Sequence, residues 1–142
     1  MAMIPSKKLF VFEELPANIY INGLIVKVKR EENHLKKDNT TADQVQIRYT
    51  VEGAKSERST TWMTFSYSEK SNLYKMWIRP LVAGAFEYME FDLQELEGMK
   101  AQFMFDEAFE EAGKMKQYLA KVIPQGSKLT PKSLPTQTVD GL

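Results

Sequence analysis

The chain has 142 residues, of which 43% are apolar and 27% charged, a size and make-up suited to one domain with its own core. Nineteen basic residues balance nineteen acidic ones, so there is no whole-domain basic footprint of the kind common in nucleic-acid binders, and the placement of charge along the chain carries the information instead. The absence of cysteine excludes disulfides, thiolate metal sites and thiol nucleophiles.

Residues 1–17 read as a lead-in, with Leu9, Phe10, Val11 and Phe12 as a short extra strand or a lid on one end of the core. Met1–Pro5 lacks the apolar stretch of a signal peptide, and no apolar run approaches membrane-spanning length, so the expectation is a soluble cytoplasmic protein with no membrane partner. Residues 19–29 predict a long first strand. Ile19 and Ile21 share one parity and Leu24, Val26 and Val28 the other, with Gly23 between them as the place for a bulge or bend. Such a bend lets one strand serve both halves of a small closed barrel. Residues 27–43 are strongly charged and predict an exposed loop.

Val45, Ile47, Tyr49 and Val51 alternate with Gln46, Arg48, Thr50 and Glu52, the period of a half-buried strand. Residues 52–57 are polar, contain Gly53 and predict a hairpin connection. A third strand follows, with Thr61, Met63, Phe65 and Tyr67 on one face and Thr60, Trp62, Thr64 and Ser66 on the other. The period then becomes helical: Leu73, Met76, Trp77 and Leu81 form one stripe, Ser68 is the expected N-cap, and Pro80 and Gly84 close the helix. Leu73, Met76 and Trp77 form the expected core plug, and Tyr20, Tyr49 and Phe103 are expected in the core. Asp92 with Glu95 has capping-box spacing before a short helical turn that ends at Gly98. Residues 99–105 predict a fourth strand with Ala101, Phe103 and Phe105 facing in. Residues 106–113 form an acidic connection. Residues 115–123 predict a fifth strand with Tyr118, Ala120 and Val122 inside. From Pro124 the composition turns to Pro, Ser, Thr, Lys, Gln and Gly, which predicts a flexible tail. The expected division is therefore a lead-in over 1–17, a folded domain over 18–124 and a tail over 125–142.

Strand, loop, strand, hairpin, strand, helix, strand, hairpin, strand is the order of an OB-fold. Trp62-Met63-Thr64-Phe65-Ser66 running into Glu69-Lys70-Ser71-Asn72-Leu73, and Phe91-Asp92-Leu93-Gln94-Glu95-Leu96-Glu97-Gly98 leading into a strand, carry a further likeness. Over residues 19–124 the chain resembles the small OB-fold, single-stranded-DNA-binding-type proteins of phages and prophages. The resemblance implies an all-β fold with one main helix: a five-stranded Greek-key barrel with the helix between strands three and four. It also implies a non-enzymatic replication or recombination accessory that binds single-stranded DNA with little sequence preference, in a bacterial or phage-infected cytoplasm. Cellular relatives of that class end in an acidic tip; here Asp140 is the only acid of the tail.

Single-strand binding on such a fold combines a cationic groove with aromatic faces on which bases stack. With Val45, Ile47, Met63 and Phe65 inward, Gln46, Arg48, Thr60, Trp62 and Thr64 point outward. Trp62 is then a stacking platform beside Arg48, or a ring covered by the lead-in or by a second copy in a homo-oligomer. Lys27, Lys29, Arg30, Lys36 and Lys37 are candidate phosphate contacts, or a solvated charged loop diluted by Glu31, Glu32 and Asp38. Asp106, Glu107, Glu110 and Glu111 read as a solubilising loop, with a divalent-ion site as the alternative. His34, the only histidine, has no Ser, Cys or carboxylate constellation around it in sequence and reads as a surface residue rather than a catalytic base. No glycine-rich phosphate loop or dinucleotide fingerprint is present, so no cofactor and no metal are expected. A second reading is an OB-fold used for protein interaction or assembly without nucleic acid.

Overall fold

The structure is a computed structural model and describes residues 12–35 and 38–132. One antiparallel sheet dominates it. Strand β1 is Tyr20–Leu35, β2 is Thr41–Val51, β3 is Arg58–Ser59 and β4 is Met63–Thr64. After a helix come β5, Lys100–Phe105; β6, Phe109–Glu111; β7, Lys114–Lys116; and β8, Leu119–Pro124. The main sheet runs β3–β2–β1–β5–β8, with β4 also on β2, while β6 and β7 form a separate hairpin. Among the described residues this sheet ends in two edges and does not close into the expected barrel.

Strand β1 does serve both neighbours, as expected: its first half pairs with β5 and its longer second half with β2, and Gly23 faces Val51 on one side and Ala101 on the other. The irregularity lies further on. The β1–β2 register shifts between Ile25 and Lys27, so the bulge falls at Val26 and not at Gly23. That shift changes the inner set. Ile25 and Val28 are buried, whereas Leu24 and Val26 are 37% and 38% exposed, contrary to the expected inward parity of those two. Tyr20 is also exposed rather than in the core. The turn over Leu93–Leu96 holds the bulged segment. Gln94 Nε2 donates to the Val28 carbonyl, Glu97 accepts from the Val28 amide, and Gly98 N–H donates to the Ile25 carbonyl.

The expected charged loop over 27–43 is mostly paired strand. Its backbone finds partners across β1 and β2 as far as Leu35 and Thr41, and of the described residues only 38–40 lie between the two strands. Val45, Ile47, Tyr49 and Val51 are all buried, as their alternation predicts. Tyr49 stacks on Phe103, with centroids 4.7 Å apart and planes 11° from parallel, and Trp77 tilts against both rings. Such ring pairs contribute roughly 0.5–1.5 kcal/mol beyond area burial. Leu73 and Trp77 of the expected plug are fully buried, as is Leu81, whereas Met76 is only partly buried and packs against the core.

The helix itself is a π-turn over Leu73–Ile78 continued by an α-turn over Arg79–Leu81. Pro80 has no amide hydrogen to continue an i→i−4 ladder, and the turn before it is widened: Arg79 N–H reaches the Tyr74 carbonyl. Ser68 is not the N-cap. That position is Asn72, and it is the Ser71 hydroxyl that accepts from the Tyr74 amide, at 3.1 Å. Asp92 does cap the next turn, accepting from Gln94 N–H at 3.0 Å.

The acidic connection is a hairpin, with Ala112 and Gly113 both at positive φ, the signature of a two-residue turn whose twist matches its strands. Met115 therefore belongs to β7. Tyr118 is 53% exposed and lies outside the core, and Val122 is the buried residue of β8. The polar segment after Pro124 is held in part. Leu129 pairs with Val82, accepting from Ala83 N–H and donating to the Leu81 carbonyl, and Lys132 N–H donates to Glu95. Positions 133–142 lie outside the described residues, as do Leu9–Val11 of the lead-in. Leu15 of the lead-in is buried, and the Gln117 amide brackets its backbone N–H and carbonyl, each at 2.8 Å. Arg58 also donates to the Glu13 carbonyl, at 2.6 Å.

Candidate nucleic-acid interface

Residues directly opposed on antiparallel strands share a face. Because Val45, Ile47 and Tyr49 fill the core, Gln44, Gln46 and Arg48 take the other side of β2. The register sets Lys27 opposite Arg48, Lys29 opposite Gln46 and Glu31 opposite Gln44; on the far side of β2, Ser59 faces Arg48 and Thr64 faces Gln44. Lys27, Lys29, Gln46, Arg48 and Thr64, five of the candidate residues, thus lie on one outer face.

Lys27 and Arg48 form a like-charged cross-strand pair, an arrangement that by itself destabilises a sheet. Arg48 has Glu57 at 4.0 Å, a half-exposed ion pair worth little in water. Gln46 is committed to structure: its Nε2 donates to the Thr60 carbonyl at 3.3 Å.

Trp62 sits where the third strand breaks. Thr60 takes both backbone groups of Ile47, donating its amide to the carbonyl and accepting the Ile47 amide on its hydroxyl. Arg48 pairs with Ser59 but Val45 pairs with Met63, so one extra residue is accommodated between β3 and β4. A bulge of this kind re-aims side chains. Met63 is buried and Thr64 exposed, as predicted, and Trp62 is half-buried. Thr60, expected to project outward, is instead half-buried, with its hydroxyl in the ladder.

Arg30 does not join the outer face. It lies opposite Val45, on the core side of β1, with its guanidinium carbon 3.9 Å above the Phe65 ring and Nη2 3.2 Å from Asp43. Phe65, expected in the core, is only partly buried and meets Tyr67 edge-on at 5.4 Å. The Tyr67 hydroxyl donates to the Phe91 carbonyl at 2.7 Å, and burial, with Asp92 adding to it and Arg30 opposing, pushes that phenol well above its ordinary range. Sequence reasoning missed Asp43 as the organiser of this corner, because only the β1–β2 register places it beside Arg30. Lys36 and Lys37 lie outside the described residues, as does the side chain of His34.

On the β6–β7 hairpin, Glu111 and Lys116 pair at 2.8 Å, which lowers the carboxyl pKa and raises that of the ammonium through their hydrogen bond and mutual charge. The described residues contain no group of three or more His, Cys, Asp or Glu side chains placed to hold a metal ion, and no helix long and apolar enough to cross a membrane. Comparison of the chain with protein-family models, curated proteins and solved structures gave no match.

Proposed function

We propose that this protein is a non-enzymatic module that binds single-stranded nucleic acid, DNA by preference, across the outer face of β1, β2 and β4. The observation that carries this reading is the Lys27–Arg48 pair: two cations held directly opposite one another, with Lys29 alongside and the half-buried Trp62 at the neighbouring bulge. A phosphate backbone relieves the repulsion that the sheet otherwise bears, and an indole offers any base a stacking face. The strand order supports an OB-type arrangement. If β3 and β4 are counted as one interrupted third strand, the helix falls between strands three and four, and the first strand separates the second from the fourth.

The test is an anisotropy titration of a labelled twenty-residue oligothymidylate at two salt concentrations. Binding should weaken with salt, and Trp62→Ala should cost about 1–3 kcal/mol. Lys27→Ala or Arg48→Ala should each reduce the salt slope by roughly one. A flat titration of the folded protein at low salt removes the reading. An assembly module is the second reading, favoured by the β6–β7 hairpin, where Phe109 and Met115 are exposed, and by exposed Tyr118 just after it. A stable dimer by light scattering with no oligonucleotide affinity selects it.

A further inference from the structure

We infer that Arg30 is a second base-stacking station and not a phosphate contact, so that a strand bound on the outer face turns around the β4 edge and lays a base on the guanidinium. This rests on the nucleic-acid reading above. Trp62 and Phe65 are three residues apart along the third strand, a distance of about 10 Å in extended chain. Thr64 lies between them and is exposed. The edge of β4 therefore connects the two faces.

The corner is built to hold a flat cation still. Asp43 accepts from Arg30 Nη2 at 3.2 Å and from the Asn33 amide at 3.3 Å, while its own carbonyl accepts from Phe65 N–H at 2.9 Å. The residue that holds the guanidinium edge thus also holds the backbone that carries the ring beneath it. Phe65 is backed by Tyr67, and Tyr67 is tied to the Phe91 carbonyl. The guanidinium carbon lies 3.9 Å over the Phe65 ring centroid, yet the Arg30 side chain remains 43% exposed. A carboxylate already on the cation offsets its attraction for phosphate and would itself repel one. It leaves the plane unaffected. A planar, weakly hydrated cation with an aromatic backing is a surface on which a nucleobase stacks, and lysine cannot supply it.

The experiment compares wild type, Arg30→Lys, Arg30→Gln and Phe65→Leu for binding to a twenty-residue oligothymidylate and to an abasic strand of equal length. Near-UV circular dichroism confirms that each variant is folded. The expected result is that Arg30→Lys and Arg30→Gln each weaken oligothymidylate binding about five- to tenfold, with the salt slope unchanged. Binding of the abasic strand should be the same in both variants as in wild type. Phe65→Leu, which keeps the charge but removes the backing, should show the same loss and stands in if an Arg30 variant does not fold. If Arg30→Lys binds like wild type, or if Arg30→Gln lowers the salt slope, the stacking role is overturned while the outer-face reading survives. If wild type binds neither strand, both fall.

Discussion

Gly23 has no room for a side chain between β1 and its neighbours, and replacing it with alanine tests how β1 is shared between the two. A Cβ built there lies 2.2 Å from the Thr50 carbonyl oxygen and 2.7 Å from the nearest Phe103 ring carbon. Ordinary contact begins near 3.4 Å, so β1 and β2 would have to part by about 1.2 Å at this step. The Glu52 N–H···Asn22 carbonyl bond next to it, now 2.9 Å, would stretch beyond hydrogen-bonding range. Leaving those backbone groups unpaired costs about 1–3 kcal/mol. Displacing Phe103 from its stack on Tyr49 adds an overpacking cost of about 1–3 kcal/mol. Gly23→Ala should therefore destabilise by roughly 2–6 kcal/mol, read as a drop in the urea midpoint with unchanged slope. Two other glycines serve as controls. At Gly53 nothing lies within 4 Å but φ is +87°, so alanine meets strain without a clash and should cost about 1 kcal/mol. At Gly126 there is neither crowding nor a positive φ, and alanine should be neutral or slightly stabilising. A Gly23→Ala midpoint within error of that of Gly126→Ala would refute the close-approach reasoning.

Burial pushes the Tyr49 phenol up to about 12, against a small opposing effect from Arg58. The raised value means that its contribution is complete below pH 10 and is lost as pH rises through 12; two pKa units correspond to about 3 kcal/mol. Tyr49→Phe should flatten the alkaline limb of a stability–pH curve, and an unchanged limb would place the titration elsewhere. Ile25→Ala should cost about 2–5 kcal/mol, whereas Leu24→Ser should stay within about 0.5 kcal/mol; reversed costs in chemical denaturation would put the β1 bulge elsewhere. Gln117→Ala removes the bracket on Leu15 and should cost about 1–3 kcal/mol, with faster hydrogen exchange at the Leu15 amide as the specific readout.

Much of this architecture is legible in side-chain period alone. Val45, Ile47, Tyr49 and Val51 alternate and are buried; Ala101, Phe103 and Phe105 alternate and are buried; Leu73, Trp77 and Leu81 recur at helical spacing and fill the core. Each pattern is local, and one face of the element decides it. The failures share a cause. The change of phase along β1 shows in the sequence, but the glycine suggests the wrong place for it: the one-residue bulge falls at Val26, which leaves Leu24 and Val26 outside the core, and only the pairing with β2 locates it. Residues 27–43 look like a loop because their side chains are charged, yet 27–35 and 41–43 are strand because their backbones have a partner across β1 and β2.

The candidate site divides along the same line. The outward parity of Gln46 and Arg48 follows from β2 alone, and the Trp62 candidacy from its place beside Met63. That Lys27 meets Arg48, that Arg30 turns to the opposite side onto Phe65 and Asp43, and that Thr60 displaces Trp62 from the ladder are matters of register. By itself the order of residues determined the buried parity of β2 and β5, the helical stripe of Leu73, Trp77 and Leu81 and which side chains want water, because those preferences act within a few residues. The pairing of strands, the bulges and the open edges were decided only in the assembled sheet, where backbone groups tens of residues apart must satisfy one another.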